Sequence, residues 1–178
     1  MLYIVAQIFG IFGLLVMIIS LFQKNKDKML WYVVFNGLFF GIEYLLLGAY
    51  SGMFSNFFGI GRTYISKEKE KNEKLNKWYV LSFFIIGYII IGFISFDGKL
   101  ISLFPIIAEI IYVVTLWQKS VKKIRLGALL MVILWLIYDI IVKAYPSMIT
   151  DLIVMTSTIV AIITNDILKK GDLVNGSK

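Results

Sequence analysis

The sequence predicts an all-α integral membrane protein of seven transmembrane helices, built as two parallel three-helix bundles joined by a linker helix (3+1+3). Three observations predict it. Of 178 residues, 60% are hydrophobic and only 16% charged, with a mean hydropathy of +0.86, a balance that no water-facing surface tolerates. Seven apolar runs alternate with charge clusters, each run close to the ~20 residues that cross a bilayer. Finally, the chain matches itself at an offset of 95 residues.

The runs are 2–22, 29–47, 51–66, 78–96, 100–117, 126–145 and 148–168. The first begins directly after Met1, with no basic segment ahead of it and no small-residue cleavage pattern behind it, so it is expected to stay as an uncleaved anchor. The third is short and semi-polar, containing Ser55, Asn56, Arg62 and Thr63, and hydropathy alone would leave it on the surface. Charge argues that it crosses. If all seven runs span, one face of the membrane receives every one of the 18 basic residues except Lys99 and Lys143. By the positive-inside rule that face is cytoplasmic, which puts the N-terminus outside and the C-terminus inside. Trp31, Trp78 and Trp117 then fall at cytoplasmic span ends, where an indole buries its ring and keeps its N–H near the headgroups.

The domain organisation follows: residues 1–66 form the first bundle, 67–77 a charged cytoplasmic connection, 78–96 the linker helix, 97–168 the second bundle and 169–178 a frayed cytoplasmic tail. The 67–77 segment alternates Lys and Glu and reads as a solvated extension of the third helix. The fourth run carries no charge and is expected at the edge of the bundle, facing lipid.

The repeat is carried by polar turns as well as by apolar spans. Leu21, Gln23, Lys24 and Lys28 recur as Leu116, Gln118, Lys119 and Lys123, and Ala49, Tyr50 and Met53 recur as Ala144, Tyr145 and Met148. Equivalent spans lie four apart in the chain, and an even displacement sets both copies the same way up. Parallel repeats around a site near the midplane are one of the ways transporters are built.

Candidate site residues are the polar groups that the spans bury. A carboxylate near the bilayer centre costs about 2.5–3.5 kcal/mol on insertion scales, so each must have a partner, a wet cavity or a shallow position. Glu109 is central in its span and is the strongest candidate. Glu43 lies near the outer end of its own span, Asp139 has Lys143 four residues on to neutralise it, and Asp151 aligns with Asn56 in the repeat. Asn36 shares a helix face with Glu43, and Trp135, the one mid-span tryptophan, lies beside the acidic groups. These seven are the expected substrate-binding set. Arg62 is explained by snorkelling unless it pairs with an acidic residue. Gly10, Gly13 and Pro105 are the expected hinges, Gly10 and Pro105 being equivalent in the repeat. Gly37 and Gly41 form a small-xxx-small pair that allows close helix approach.

Several function classes are excluded. Cys and His are absent, which removes thiol nucleophiles, His relays and their metal sites. Tyr138 and Asp139 are similar to the tyrosine-aspartate pair of intramembrane aspartyl proteases, but the Gly-x-Gly-Asp partner motif is missing. No enzyme activity, cofactor or metal is expected. The charge of +7 lies in short interhelical segments, so it reads as membrane orientation and not as nucleic-acid binding. The expected partners are the lipid bilayer and a small polar solute, with no need to oligomerise.

Ala6, Gln7, Gly10 and Gly13, then Leu46 to Tyr50, then Arg62 and Thr63 resemble the bacterial inner-membrane YgjV family, with Pro105 and the seventh span also in register. That resemblance implies location in the inner membrane and no particular activity. The 3+1+3 layout is also similar to SWEET sugar carriers and to nicotinamide riboside transporters, which implies a bundle enclosing a small polar solute. The function expected is a small-solute transporter or facilitator working by alternating access, for a polar or cationic solute or a sugar. The alternative is a non-transporting scaffold whose polar stripes hold helices together.

Overall fold

The computed structural model describes residues 1–68, 72–118 and 120–168. Among the described residues there are seven α-helices: α1 (Leu2–Leu21), α2 (Lys26–Leu46), α3 (Tyr50–Glu68), α4 (Trp78–Ser95), α5 (Phe104–Leu116), α6 (Val121–Val142) and α7 (Tyr145–Ile162), the last running on as a wider π-helix over Ile163–Leu168. Four of them are long and apolar enough to cross a membrane, namely α1, α4, α6 and α7 with its extension, while the apolar parts of α2 and α5 are shorter.

Each helix has a sequence reason for the face it hides. In α1 the buried positions are Ala6, Gly10, Gly13 and Ser20, a small-residue stripe that lets α2 come close while Ile4, Ile8, Ile11 and Leu15 point outward. In α3 the buried set Ser51, Ser55, Gly59 and Arg62 follows helical spacing, so the semi-polar character of that run is its inward face. In α4 the stripe Val80, Phe84, Tyr88, Gly92 and Ser95 is buried and the opposite face, with Phe83, Ile90 and Phe93, is exposed. Thus α4 is only half lipid-facing: its other face packs on α3 and α5.

Helices α1, α2 and α3 pack in chain order, as do α5, α6 and α7, and the two sets meet where α1 lies on α7 and α3 on α5. Local geometry recurs at the 95-residue offset. Helices α2 and α6 begin at Lys26 and Val121, α3 and α7 at Tyr50 and Tyr145, and α1 and α5 end at Leu21 and Leu116. The turn that closes α2 has the Ala49 amide on the Tyr44 carbonyl at 2.8 Å, and the turn that closes α6 has the Ala144 amide on the Asp139 carbonyl at 3.0 Å. Both turns pass through a left-handed residue, Gly48 (φ 72°) and Lys143 (φ 60°).

Some boundaries differ from the sequence reading. Helix α6 starts five residues earlier than expected, because Val121 to Arg125 continue the helix even though they are charged. The fifth run opens with a 3-10 turn, Leu100–Leu103, before α5 proper. The charged connection is not a plain extension of α3, since Asn72 caps a separate 3-10 turn, Glu73–Asn76, by accepting the Lys74 amide at 3.0 Å. Lys69, Lys71, Lys119 and the tail from Lys169 lie outside the described residues. In the α4–α5 connection, the Lys99 amide donates to Asp97 at 3.2 Å and holds that carboxyl below its usual range.

The expected hinges have other local roles. Helix α1 runs unbroken through Gly10 and Gly13. A Cβ at Gly10 would sit 2.5 Å from the Glu43 carboxylate, and one at Gly13 would sit 2.5 Å from the Phe40 ring, so both glycines make room for α2. Pro105 stands in the first turn of α5, where its missing N–H has no intrahelical bond to lose, so it starts a helix and does not bend one.

Candidate functional site

A cavity of about 180 Å³ opens among α2, α3, α5, α6 and α7, with Met17 of α1 also in its wall. At ~30 Å³ of liquid volume per water, it has room for about six waters or a solute of similar bulk. Five of the seven expected site residues line it: Asn36 from α2, Asn56 from α3, Glu109 from α5, Trp135 from α6 and Asp151 from α7. The other two do not. Glu43 and Asp139 are buried at 0% and 1% exposure, each shielded by a residue that does line the cavity, Ser147 and Tyr44 respectively.

On one wall stands an ion pair between Arg62 of α3 and Glu109 of α5. Arg62 therefore does not snorkel. Its guanidinium lies 4.6 Å from the Tyr112 ring centroid, a cation–π contact, and donates to the Tyr88 hydroxyl at 3.4 Å. Tyr88 in turn donates to Glu109 Oε2 at 3.1 Å, and the Trp135 indole donates to Oε1 at 3.3 Å. Both carboxylate oxygens are thus satisfied, as a buried charge requires. Four helices converge on this one carboxylate.

Beyond the cavity, toward the 47–49 and 143–144 turns, lies a second polar layer. Tyr44 donates to Asp139 Oδ1 at 2.5 Å and Ser147 to Glu43 Oε2 at 2.6 Å. Tyr138 meets the Ser51 hydroxyl at 3.0 Å and accepts the Gly52 amide at 3.2 Å. The rings of Tyr44, Trp135 and Tyr138 lie 5.6–5.9 Å apart, which closes this end with aromatic surface. The partner of Asp139 is therefore Tyr44 on the other side of the bundle, in place of Lys143, whose left-handed backbone ends α6.

A family model described as a bacterial inner membrane protein, Imp-YgjV, matches residues 4–166. The chain belongs to that family. No curated protein and no solved structure matches it, and the likeness expected to SWEET carriers and nicotinamide riboside transporters is not shown. Family membership makes the chain a bacterial inner membrane protein, and the matched span includes every residue of the cavity and of both polar layers.

Sequence reasoning passed over Tyr88, Tyr44, Ser55 and Ser147. Tyr88 had a signal: it is the central member of a four-residue periodicity, Val80, Phe84, Tyr88 and Gly92, in a run otherwise read as lipid-facing. Ser55 is 0% exposed and its hydroxyl has no hydrogen-bond partner among the described residues. A lone serine in a semi-polar run gives no such warning.

Proposed function

We propose that α1–α3 and α5–α7 are two parallel three-helix bundles joined by α4, and that the chain carries a small polar or cationic solute across the inner membrane by rocking one bundle against the other. The observation that carries this reading is the polar cavity walled by helices of both sets, buried between spans, where a hydrogen-bonding surface has no use in packing against lipid. Supporting it, Tyr44 and Asp139 are 95 residues apart and touch, as equivalent positions do when they lie beside a twofold axis. In this reading the lipid bilayer and the solute are the only partners needed; no cofactor, metal, nucleic acid or second copy takes part, and the chain is not an enzyme.

The orientation proposed has the N-terminus outside and the C-terminus in the cytoplasm. A chain free of cysteine permits single-label mapping: a cysteine at Asp97 is expected to react with an impermeant maleimide in intact spheroplasts, and one at Lys24 only after permeabilisation. The reverse pattern would overturn the orientation.

The direct functional test is uptake of a panel of small solutes into proteoliposomes. Transport by the wild type, abolished in the triple variant Glu109→Gln, Trp135→Ala and Asp139→Asn, is the expected result. Unchanged transport in that variant would remove the site assignment. The scaffold reading is favoured by one observation: the layer of Tyr44, Asp139, Tyr138, Ser51, Glu43 and Ser147 joins helices by direct hydrogen bonds. A purified protein that carries none of the panel would favour it.

A further inference from the structure

We propose that the cavity binds a compact organic ammonium ion. The inference names the substrate class of the proposed carrier and rests on that reading for a route in and out, although the chemistry of the walls stands by itself. Several of the wall's donors are already committed to the protein. Asn36 Nδ2 donates to the Gly13 carbonyl at 3.0 Å and Asn56 Nδ2 to the Gly52 carbonyl at 3.0 Å. Each NH₂ thereby commits one of its two N–H donors to a helix backbone, and each amide oxygen can accept from a ligand. The hydroxyls of Thr63 and Thr150 likewise donate to the carbonyls of Gly59 and Pro146.

The charge balance points the same way. Arg62 is the one cation lining the cavity among the described residues, and Glu109 already neutralises it. Asp151 then remains as a lining carboxylate, and its buried Oδ2 has no partner among the described residues. The Ser55 hydroxyl, fully buried and lining the same space, is also unpartnered. Aromatic faces from Phe40, Tyr44 and Trp135 complete the wall and attract a cation through the ring quadrupole. An ammonium group supplies up to three donors and needs no acceptor bonds in return. A neutral polyol leaves the Asp151 carboxylate without a counter-charge, and an anion is repelled by it.

The test is isothermal titration of the full-length protein in nanodiscs with three probes of similar bulk and different charge: 2-hydroxyethylammonium, ethylene glycol and glycolate. Saturable binding of the ammonium, with the other two at least about tenfold weaker, is expected. Asp151→Asn should weaken the ammonium by about tenfold or more, and Ser55→Ala by a few-fold, both with the unfolding midpoint of the wild type. Equal or stronger binding of the glycol or glycolate, binding of none of the three, or wild-type affinity in both variants overturns the inference. Ammonium binding without uptake into proteoliposomes leaves the site in place and removes the carrier; uptake restricted to neutral or anionic solutes does the reverse.

Discussion

The two seams where α3 meets α5 and α1 meets α7 occupy equivalent places in the 95-residue offset, yet they are held in opposite ways. At the α3–α5 seam, Arg62 and Glu109 form a buried ion pair roofed by Tyr112 and braced by Tyr88 from α4. The positions equivalent to these two in the α1–α7 seam are Ser157 and Leu14, which have no charge to exchange. Beside the α1–α7 seam, the Gln7 side chain of α1 donates to the Lys143 carbonyl in the turn that leads into α7 at 2.9 Å. A repeat fixes the backbone frame and leaves each seam free to carry its own chemistry. One seam is locked, and the rocking proposed above is expected to take place at the other.

The sharpest way to break that contrast is to unlock the first seam. Glu109→Leu leaves the Arg62 guanidinium buried at 8% exposure without its counter-charge, and Arg62→Ser does the converse to Glu109. Each is expected to cost about 3–5 kcal/mol, read as a fall in the unfolding midpoint in detergent. The double variant carries the residues of the other seam, Ser and Leu, and should recover part of that loss, because no uncompensated ion is left and only the donors of Tyr88 and Trp135 go unmet. If the double variant were no more stable than either single one, the pair would not be what holds the seam.

A second contrast concerns the helix pairs inside each half. Gly13 faces Phe40, and the equivalent positions are Ala108 and Trp135 in the same buried cluster. A methyl is therefore accepted at one site and has no room at the other, where the Cβ would fall 2.5 Å from the Phe40 ring. Gly13→Ala is expected to destabilise by about 1–3 kcal/mol through overpacking, whereas Ala108→Gly should cost about 1–2 kcal/mol by the opposite route, the penalty for glycine inside a helix plus the loss of a fully buried methyl. Adding Phe40→Leu to Gly13→Ala should restore much of the loss. Thermal unfolding followed by circular dichroism would rank the three, and no recovery in the double variant would mean that the Phe40 ring is not what excludes a methyl at Gly13.

How far the sequence carried differs between frame and site. Turn residues such as Ala49 and Ala144 recur in the chain, and their hydrogen bonds recur in space, because a turn's geometry is written in a few adjacent residues. Glu109 was legible as a deeply buried charge, since helix depth follows from counting residues, whereas its pairing with Arg62, which snorkelling would have explained, was not. Which of the candidates line the cavity was not legible. Glu43 and Asp139 look the same as Asp151 in sequence, but Ser147 and Tyr44 come between them and the space, and that depends on helix rotations that no local pattern encodes. Tyr88 was signalled only by its place in the 80, 84, 88, 92 spacing. An uncharged span does not announce that half of its surface faces protein, and the direction of its hydroxyl depends on where α3 and α5 stand.

The smallest contrast lies in the two left-handed turns, and it isolates backbone from side chain. Gly48 and Lys143 close α2 and α6 at equivalent positions with φ of 72° and 60°. A Cβ in this region costs roughly 1–2 kcal/mol by its clash with the following carbonyl oxygen; glycine avoids it at the expense of a more flexible unfolded chain. A Cβ at Gly48 would meet no atom within 4 Å, so Gly48→Ala tests conformation alone and should destabilise by about 1 kcal/mol. Lys143→Gly should raise stability by up to about 1 kcal/mol. The carbonyl that receives Gln7 belongs to the backbone and survives the change, so no contact is sacrificed. A loss of stability in Lys143→Gly would mean that the lysine side chain itself holds this end of α6, giving the second half a tie that the first does not have.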